Sequence, residues 1–181
     1  VLARSPGHRD ALLNRGAARA TLGQYEQALA DFHAVLARMP TDAEALYNRG
    51  TTLIELGRHA EALLAFDHAL AASPRHLQAW TNRGRALQAL NRHEEAVASF
   101  DKALAIDKNY GDAHFNAALS LLTLDSVQRG FAEYEWRWKR TGVTDARRGY
   151  RGRLWLGEFP LSRRTILLPA EQGLGDTIQF V

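Results

Sequence analysis

The sequence predicts an all-α fold, a right-handed solenoid of helix-turn-helix repeats, followed by a short strand-loop-helix stub of a truncated α/β domain. The tripeptide Asn-Arg-Gly begins at Asn14, Asn48 and Asn82, so 34 residues separate successive copies. Alanine, phenylalanine and proline recur with the same period after each copy. A fixed period of this length is typical of proteins in which small helical units stack and share a core.

The period divides the chain into units. Residues 1–6 repeat residues 35–40 with one change, so we expect residues 1–8 to end a preceding repeat and the chain to be a fragment of a longer protein. The other expected segments are repeats at 9–42, 43–76 and 77–110, a degenerate closing repeat at 111–140, a basic linker at 141–164 and the start of a truncated α/β domain at 165–181.

Several apolar columns recur within the repeats. They hold Leu46 and Trp80, then Gly16, Gly50 and Gly84, then Ala28, Ala62 and Ala96, then Phe32, Phe66 and Phe100. In the second repeat we expect helices over 45–56 and 59–72, with Gly50 and Ala62 where they cross and Phe66 between neighbouring repeats. The pattern resembles the tetratricopeptide repeat (TPR). The resemblance implies a scaffold for protein–protein interaction, with a concave groove that binds proteins or peptides.

An asparagine column runs through all four repeats, at Asn14, Asn48, Asn82 and Asn116. Asparagine is a poor helix former, so its recurrence inside a helix indicates a role for the amide. A side-chain amide offers both a donor and an acceptor, which match the N–H and C=O of an extended peptide. In the TPR fold this column faces the groove, and it resembles the asparagine ladder of O-linked N-acetylglucosamine transferases. The alternative is that each amide bonds a neighbouring helix or stabilises the repeat interface.

Neighbouring columns extend this predicted peptide-binding surface. The column before asparagine contains Leu13, Tyr47, Thr81 and Phe115, and the column one turn later contains Ala17, Thr51, Arg85 and Leu119. Apolar and aromatic side chains beside amides suit an extended chain with some hydrophobic content. Tyr47 and Phe115 equally suit partly packed helix edges. The columns used by carboxylate-clamp TPR domains match only at Asn48, so a co-chaperone of that kind is not expected.

Some positions depart from the TPR pattern. Arg15, Arg49 and Arg83 stand where most related repeats carry leucine, and the sequence gives no reason for them. In the closing repeat, Gly130, Tyr134 and Arg137 replace the usual Ala, Phe and Ala, and Trp136 and Trp138 follow at a spacing that cannot share one helix face. We expect the far side of this unit to contact something other than another standard repeat.

The C-terminal stub, residues 165–181, resembles part of a catalytic domain. An apolar run at 165–169 predicts a buried strand, and the string Glu-Gln-Gly-Leu-Gly-Asp follows at 171–176. This region resembles the entry to the heptosyltransferase-type (GT-B) catalytic domain of bacterial TPR proteins. The resemblance implies a parent glycosyltransferase with a sugar-nucleotide donor, a donor or acceptor loop at Gly173, Gly175 and Asp176, and Asp176 as base. The alternative for Asp176 is a helix N-cap. The fragment itself is expected to catalyse nothing.

The composition and charge distribution bear on metal sites, cofactors and nucleic-acid binding. Cysteine is absent, which excludes disulfides and thiolate catalysis, and the seven histidines form no metal-binding pair, so neither metal nor cofactor is expected. Ten basic and four acidic residues lie between positions 129 and 164, so nucleic-acid binding there is a lower alternative to a solvated linker. A pure assembly scaffold is the other alternative. We expect a cytoplasmic location, no membrane partner, and dimer formation as one outcome of an unpaired strand at 165–169.

Overall fold

The computed structural model describes residues 8–140, all of which lie in one compact unit. The described part is all-helical and confirms the predicted solenoid of TPR repeats. Its helices are α1 (Arg9–Thr21), α2 (Tyr25–Leu36), α3 (Ala43–Glu55), α4 (His59–Ala72), α5 (Leu77–Ala89), α6 (His93–Ile106), α7 (Gly111–Thr123), α8 (Val127–Tyr134) and a final 3-10 helix (Glu135–Lys139).

The first helix of each regular repeat begins at a side-chain cap. Asp42 accepts a hydrogen bond from the backbone N–H of Ala45 at 2.9 Å, and His76 Nδ1 accepts from Ala79 N at 3.3 Å. His8, one period earlier, makes the same contact at 3.4 Å. These caps satisfy N–H groups that have no partner inside the helix. Tyr110 occupies the position before α7 and supplies no side-chain cap.

The turn inside each helix pair has a left-handed residue at one fixed position. Gly23 and Gly57 have φ values of 74° and 71°, and Asn91 and Asp125 occupy the same column with 56° and 54°. Glycine adopts this conformation without a steric cost, and asparagine and aspartate are the other residues that tolerate it best. Each turn thereby ends the first helix and directs the chain into the second.

The core of a regular repeat is a phenylalanine that packs on a glycine. Phe32, Phe66 and Phe100 are fully buried. A Cβ atom on Gly50 would lie 2.6 Å from Phe66 Cε1, and one on Gly84 would lie 2.4 Å from Phe100 Cε1. The ring therefore occupies the space of the missing side chain within its own repeat. Phe66 also belongs to a core cluster that includes Ala86 and Leu87 of the following repeat.

Contacts between helices define the curvature of the array. Each helix packs against the next in chain order, and the first helices α1, α3, α5 and α7 also contact one another in succession. Within residues 8–140, no corresponding contact joins the second helices α2, α4, α6 and α8. The first helices therefore lie on the inner side of the curve.

The closing unit is built differently from the regular repeats. Helix α8 ends at Tyr134 and continues as the 3-10 helix, which packs against α7. Trp136 stacks on His114 with ring centroids 3.9 Å apart, and His114 also hydrogen-bonds the Glu133 carboxylate and the Lys108 carbonyl. Trp138 instead stacks against Arg137. The two tryptophans therefore have different partners.

The predicted linker at 141–164, the strand at 165–169, and Gly173, Gly175 and Asp176 lie outside the described residues. In the part that the structure describes, no helix has both the length and the apolar character needed to cross a membrane.

Candidate peptide-binding groove

The asparagine column lies on the inner helices, one residue on each of α1, α3, α5 and α7. Asn14 is exposed, and Asn48, Asn82 and Asn116 are half-buried. Because these helices contact one another in succession, the four residues form a row along the inner face. We call this surface the inner groove.

One asparagine is part of a hydrogen-bond chain between two repeats. Asn82 Nδ2 donates to Tyr47 Oη at 3.2 Å, and Arg85 Nη1 donates to Asn82 Oδ1 at 3.1 Å. Tyr47 in turn packs against the His76 imidazole, with ring centroids 4.6 Å apart and the ring planes tilted by 30°. Asn82 therefore links α5 to α3 and orients Arg85, as the interface alternative for the asparagines supposes.

The other three amides behave differently. Within residues 8–140, the side-chain amides of Asn14, Asn48 and Asn116 form no hydrogen bond. The backbone carbonyl of Asn48 accepts from the Thr51 and Thr52 hydroxyls, and the carbonyl of Asn116 accepts from Gln88 Nε2 at 2.8 Å. Their side chains thus keep donors and acceptors available for a partner.

The apolar neighbours of the asparagines differ in accessibility. Leu13 is only 3% exposed, so it offers almost no surface to a ligand. Phe115 is half-buried, with Tyr134 tilted against it and the Arg140 guanidinium 4.0 Å above its centroid. Leu119 is 41% exposed and is more open than Leu13, Tyr47 or Phe115. The groove therefore offers Leu119 and part of Tyr47 rather than Leu13.

The arginines that replace leucine have structural partners in two of three repeats. Arg15 Nη2 donates to the buried Asp31 carboxylate at 2.6 Å, and Arg83 donates to Asp67 and to Ser99 Oγ, each at 2.6 Å. Arg49 forms no hydrogen bond or ion pair within the described residues. Its equivalent of Asp31 is Ala65, and its charge instead adds to that of Arg58 in lowering the pKa of the Glu61 carboxyl.

Tyr110 belongs to the groove but was not predicted from the sequence. Burial, then the Asp112 charge and Tyr47, raise the pKa of the Tyr110 hydroxyl, while Arg85 acts in the opposite direction. Burial also raises the pKa of Tyr47. Both hydroxyls therefore stay protonated near neutral pH and can donate. The available signal was its column, since Tyr110 stands one period after His76 in a position otherwise used for caps.

Comparison with known proteins agrees with this architecture. Residues 13–75, 54–110 and 81–135 match the family described as Tetratricopeptide repeat. The crystal structure of MamA superposes with a TM-score of 0.71 at 19% identity, covering 75% of this chain and 80% of that one. MamA 41-end from Desulfovibrio magneticus RS-1 gives 0.69 at 22% identity, covering 74% and 76%.

No curated protein sequence gives a significant match. The likeness to MamA establishes the fold alone, because the identities are low. The family match extends over more than half of the chain, with the same helix-turn-helix units that the structure displays. The chain belongs to the tetratricopeptide repeat family, whose members bind protein partners.

Proposed function

We propose that the inner groove binds an extended polypeptide, and that the asparagine column holds its backbone. The observation that carries this proposal is the row of three amides, Asn14, Asn48 and Asn116, without hydrogen bonds inside residues 8–140. Two of them are half-buried, and a partly desolvated amide without a partner costs free energy that a bound backbone would recover. Because the amides contact the backbone, recognition depends little on peptide sequence.

The test compares amides inside and outside the groove. A short random-peptide display library is selected on the immobilised chain, and the affinity of a selected peptide is then measured by fluorescence anisotropy. The double variant Asn48→Ala/Asn116→Ala should weaken binding by about thirtyfold, since it removes at least two hydrogen bonds that contribute about 1 kcal/mol each. Asn82 is left intact because it links Tyr47 and Arg85.

The matched control is Gln27→Ala/Gln128→Ala, which removes two exposed amides from the second helices α2 and α8. It should leave the affinity unchanged. Circular dichroism establishes that both double variants keep their helicity. Equal affinity of the groove variant and the unmodified chain would exclude the asparagine ladder as the binding device.

The sequence string at 171–176 favours a catalytic context for the groove. In this extension of the proposal, the groove holds the acceptor polypeptide for a glycosyltransferase-like domain that begins near residue 165, with Asp176 as its base. Sequencing the parent chain beyond Val181 tests it. A long βαβ pattern supports the extension, whereas another helical array supports the alternative of a pure assembly scaffold.

Nucleic-acid binding gains no support from the part of the basic segment that the structure describes. Arg129 pairs with Asp101, Arg137 with Glu135 and Arg140 with Asp112. These guanidinium groups already have acidic partners inside the protein, so they offer less positive charge to phosphates than the sequence indicates.

A further inference from the structure

Arg85 is a cation in the inner groove that no acid neutralises. It is exposed, and no acidic side chain among the described residues lies within ion-pair distance of it. Most arginines of the array are paired, for example Arg9 with Asp42 and Glu44, and Arg83 with Asp67. An oriented but unpaired guanidinium at the centre of a groove therefore differs from the prevailing pattern of this chain.

The position of Arg85 is fixed by neutral groups. Asn82 Oδ1 accepts from Arg85 Nη1, and Asn82 is held in turn by Tyr47, whose ring packs at a tilt against His76. An amide orients the guanidinium without cancelling its charge. The remaining N–H groups of Arg85 form no hydrogen bond within residues 8–140 and keep the fork geometry that matches a carboxylate.

Further donors surround the same place. Tyr47 Oη accepts from Asn82, so its own proton is free to donate outward. Tyr110 packs against the same core cluster as Tyr47, and the Arg85 charge acts on the pKa of both hydroxyls. One guanidinium and two protonated phenols form a set of donors suited to an anion. The nearby carboxylate of Asp112 pairs with Arg140 on the closing unit.

We propose that Arg85 recognises an aspartate or glutamate side chain of the extended polypeptide, and that Leu119 contacts an apolar side chain on the same face of it. Leu119 occupies the column of Arg85 one repeat later and is 41% exposed. This inference rests on the proposed function of the groove. The asparagine column supplies affinity for any backbone, and Arg85 supplies selection among sequences.

A side-chain carboxylate fits the surroundings better than a free C-terminus. Arg85 stands alone as an unpaired cation among the described groove columns, where Leu13, Ala17 and Gln78 are neutral. One guanidinium suffices for one side-chain carboxylate, whereas the clamps that bind terminal residues use several cations. The group that Arg85 binds is therefore a single acidic side chain inside a polypeptide.

The test uses the full chain and the same random-peptide library. Peptides selected on the unmodified protein should carry an acidic residue at a fixed distance from an apolar one. The variant Arg85→Glu should weaken such a peptide by more than tenfold, and replacing the acid of the peptide by lysine should restore binding to this variant. Arg75→Glu is the control, because Arg75 is an exposed arginine in the loop before α5.

Each outcome has a separate meaning. Peptides that depend on Asn48 and Asn116 but neither contain a common acid nor respond to Arg85→Glu would overturn the inference and leave the groove intact. Affinity that vanishes when the peptide C-terminus is amidated, and ignores internal acids, would assign the carboxylate to a terminus and also overturn it. If neither Asn48→Ala/Asn116→Ala nor Arg85→Glu changed the affinity of the selected peptides, the inner groove would not be the peptide-binding site.

Discussion

The three regular repeats and the closing unit use the same columns for different purposes. In the regular repeats a phenylalanine is fully buried on a glycine of the same helix pair, as Phe100 is on Gly84. In the closing unit, Ala118 occupies the glycine column and half-buried Tyr134 the phenylalanine column. The alanine Cβ leaves no room for a ring at the distances of 2.4–2.6 Å found over the glycines.

The difference lies in the groups that cover α7. Tyr134 tilts against Phe115, and Arg137 lies 4.8 Å from the Tyr134 centroid and 4.6 Å from that of Trp138. Aromatic and cationic groups thus cover α7 in place of a long second helix. Contacts between aromatic rings and guanidinium groups remain favourable when their edges face water, whereas exposing a surface of leucine and alanine to water is unfavourable. Within residues 8–140, α7 is therefore covered by a polar-edged aromatic surface rather than by a weakened copy of a second helix.

The largest expected difference concerns the aromatic column. Phe100→Ala should lower the free energy of unfolding by about 3–5 kcal/mol, because it leaves a cavity in the continuous core of the array. Tyr134→Ala should cost about 1–2 kcal/mol, since the ring is only half-buried. Urea denaturation followed by circular dichroism measures both. Equal losses would mean that the closing unit has the same kind of core as the repeats.

A smaller effect is expected at the glycine column. Gly84→Ala should destabilise the fold by about 1–2 kcal/mol, because overpacking against Phe100 outweighs the better helix propensity of alanine. Adding Phe100→Leu should recover part of that loss, so the double-mutant cycle should show coupling. The matched cycle of Ala118→Gly and Tyr134→Leu should be additive within about 0.5 kcal/mol. Strong coupling in the second cycle would contradict the steric argument.

The smallest effect is expected at the helix caps and depends on pH. Burial lowers the pKa of His76 below its usual value, so the unfolded chain binds more protons than the folded one in the range between them. The contribution of the neutral His76 cap is therefore present above about pH 6.5 and is lost as the pH falls below it. His76→Asn keeps a cap acceptor without this titration and should lose less stability between about pH 7 and pH 5.

The control for the pH series is Tyr110→Phe, the equivalent position before α7. This tyrosine caps nothing with its side chain, and its pKa is raised further from the acid range. The stability of Tyr110→Phe should depend on pH in the same way as that of the unmodified chain. If His76→Asn lost as much stability on acidification as the unmodified chain, groups other than His76 would be responsible for the pH dependence.

The sequence was sufficient for the features that depend on local geometry and repetition. The period predicted the helix pairs, and the second repeat was expected to contain helices at 45–56 and 59–72, close to the observed Ala43–Glu55 and His59–Ala72. Glycine at the inner columns and in the turns follows from sterics that repeat identically. These steric constraints act within one helix pair, so each repeat of the sequence shows the same pattern.

The sequence did not predict side-chain contacts between residues that are far apart in the chain. The four asparagines look equivalent along the chain, yet only Asn82 meets a tyrosine, because Tyr47 stands 35 residues away on the preceding inner helix. Arg15 and Arg49 also look equivalent, but only the first has an aspartate on the facing helix. Leu13 shares a column with Tyr47 but is buried.

The sequence by itself therefore determined the repeat, the helix pairs and the polar column, because backbone sterics and periodic apolar contacts are local and recur. Only the tertiary structure decided which asparagine amides have no hydrogen bond, which arginines have no acidic partner, and which apolar residues are exposed. These properties depend on the identity of the residue one repeat away, and the stacking of the inner helices is what brings those residues together.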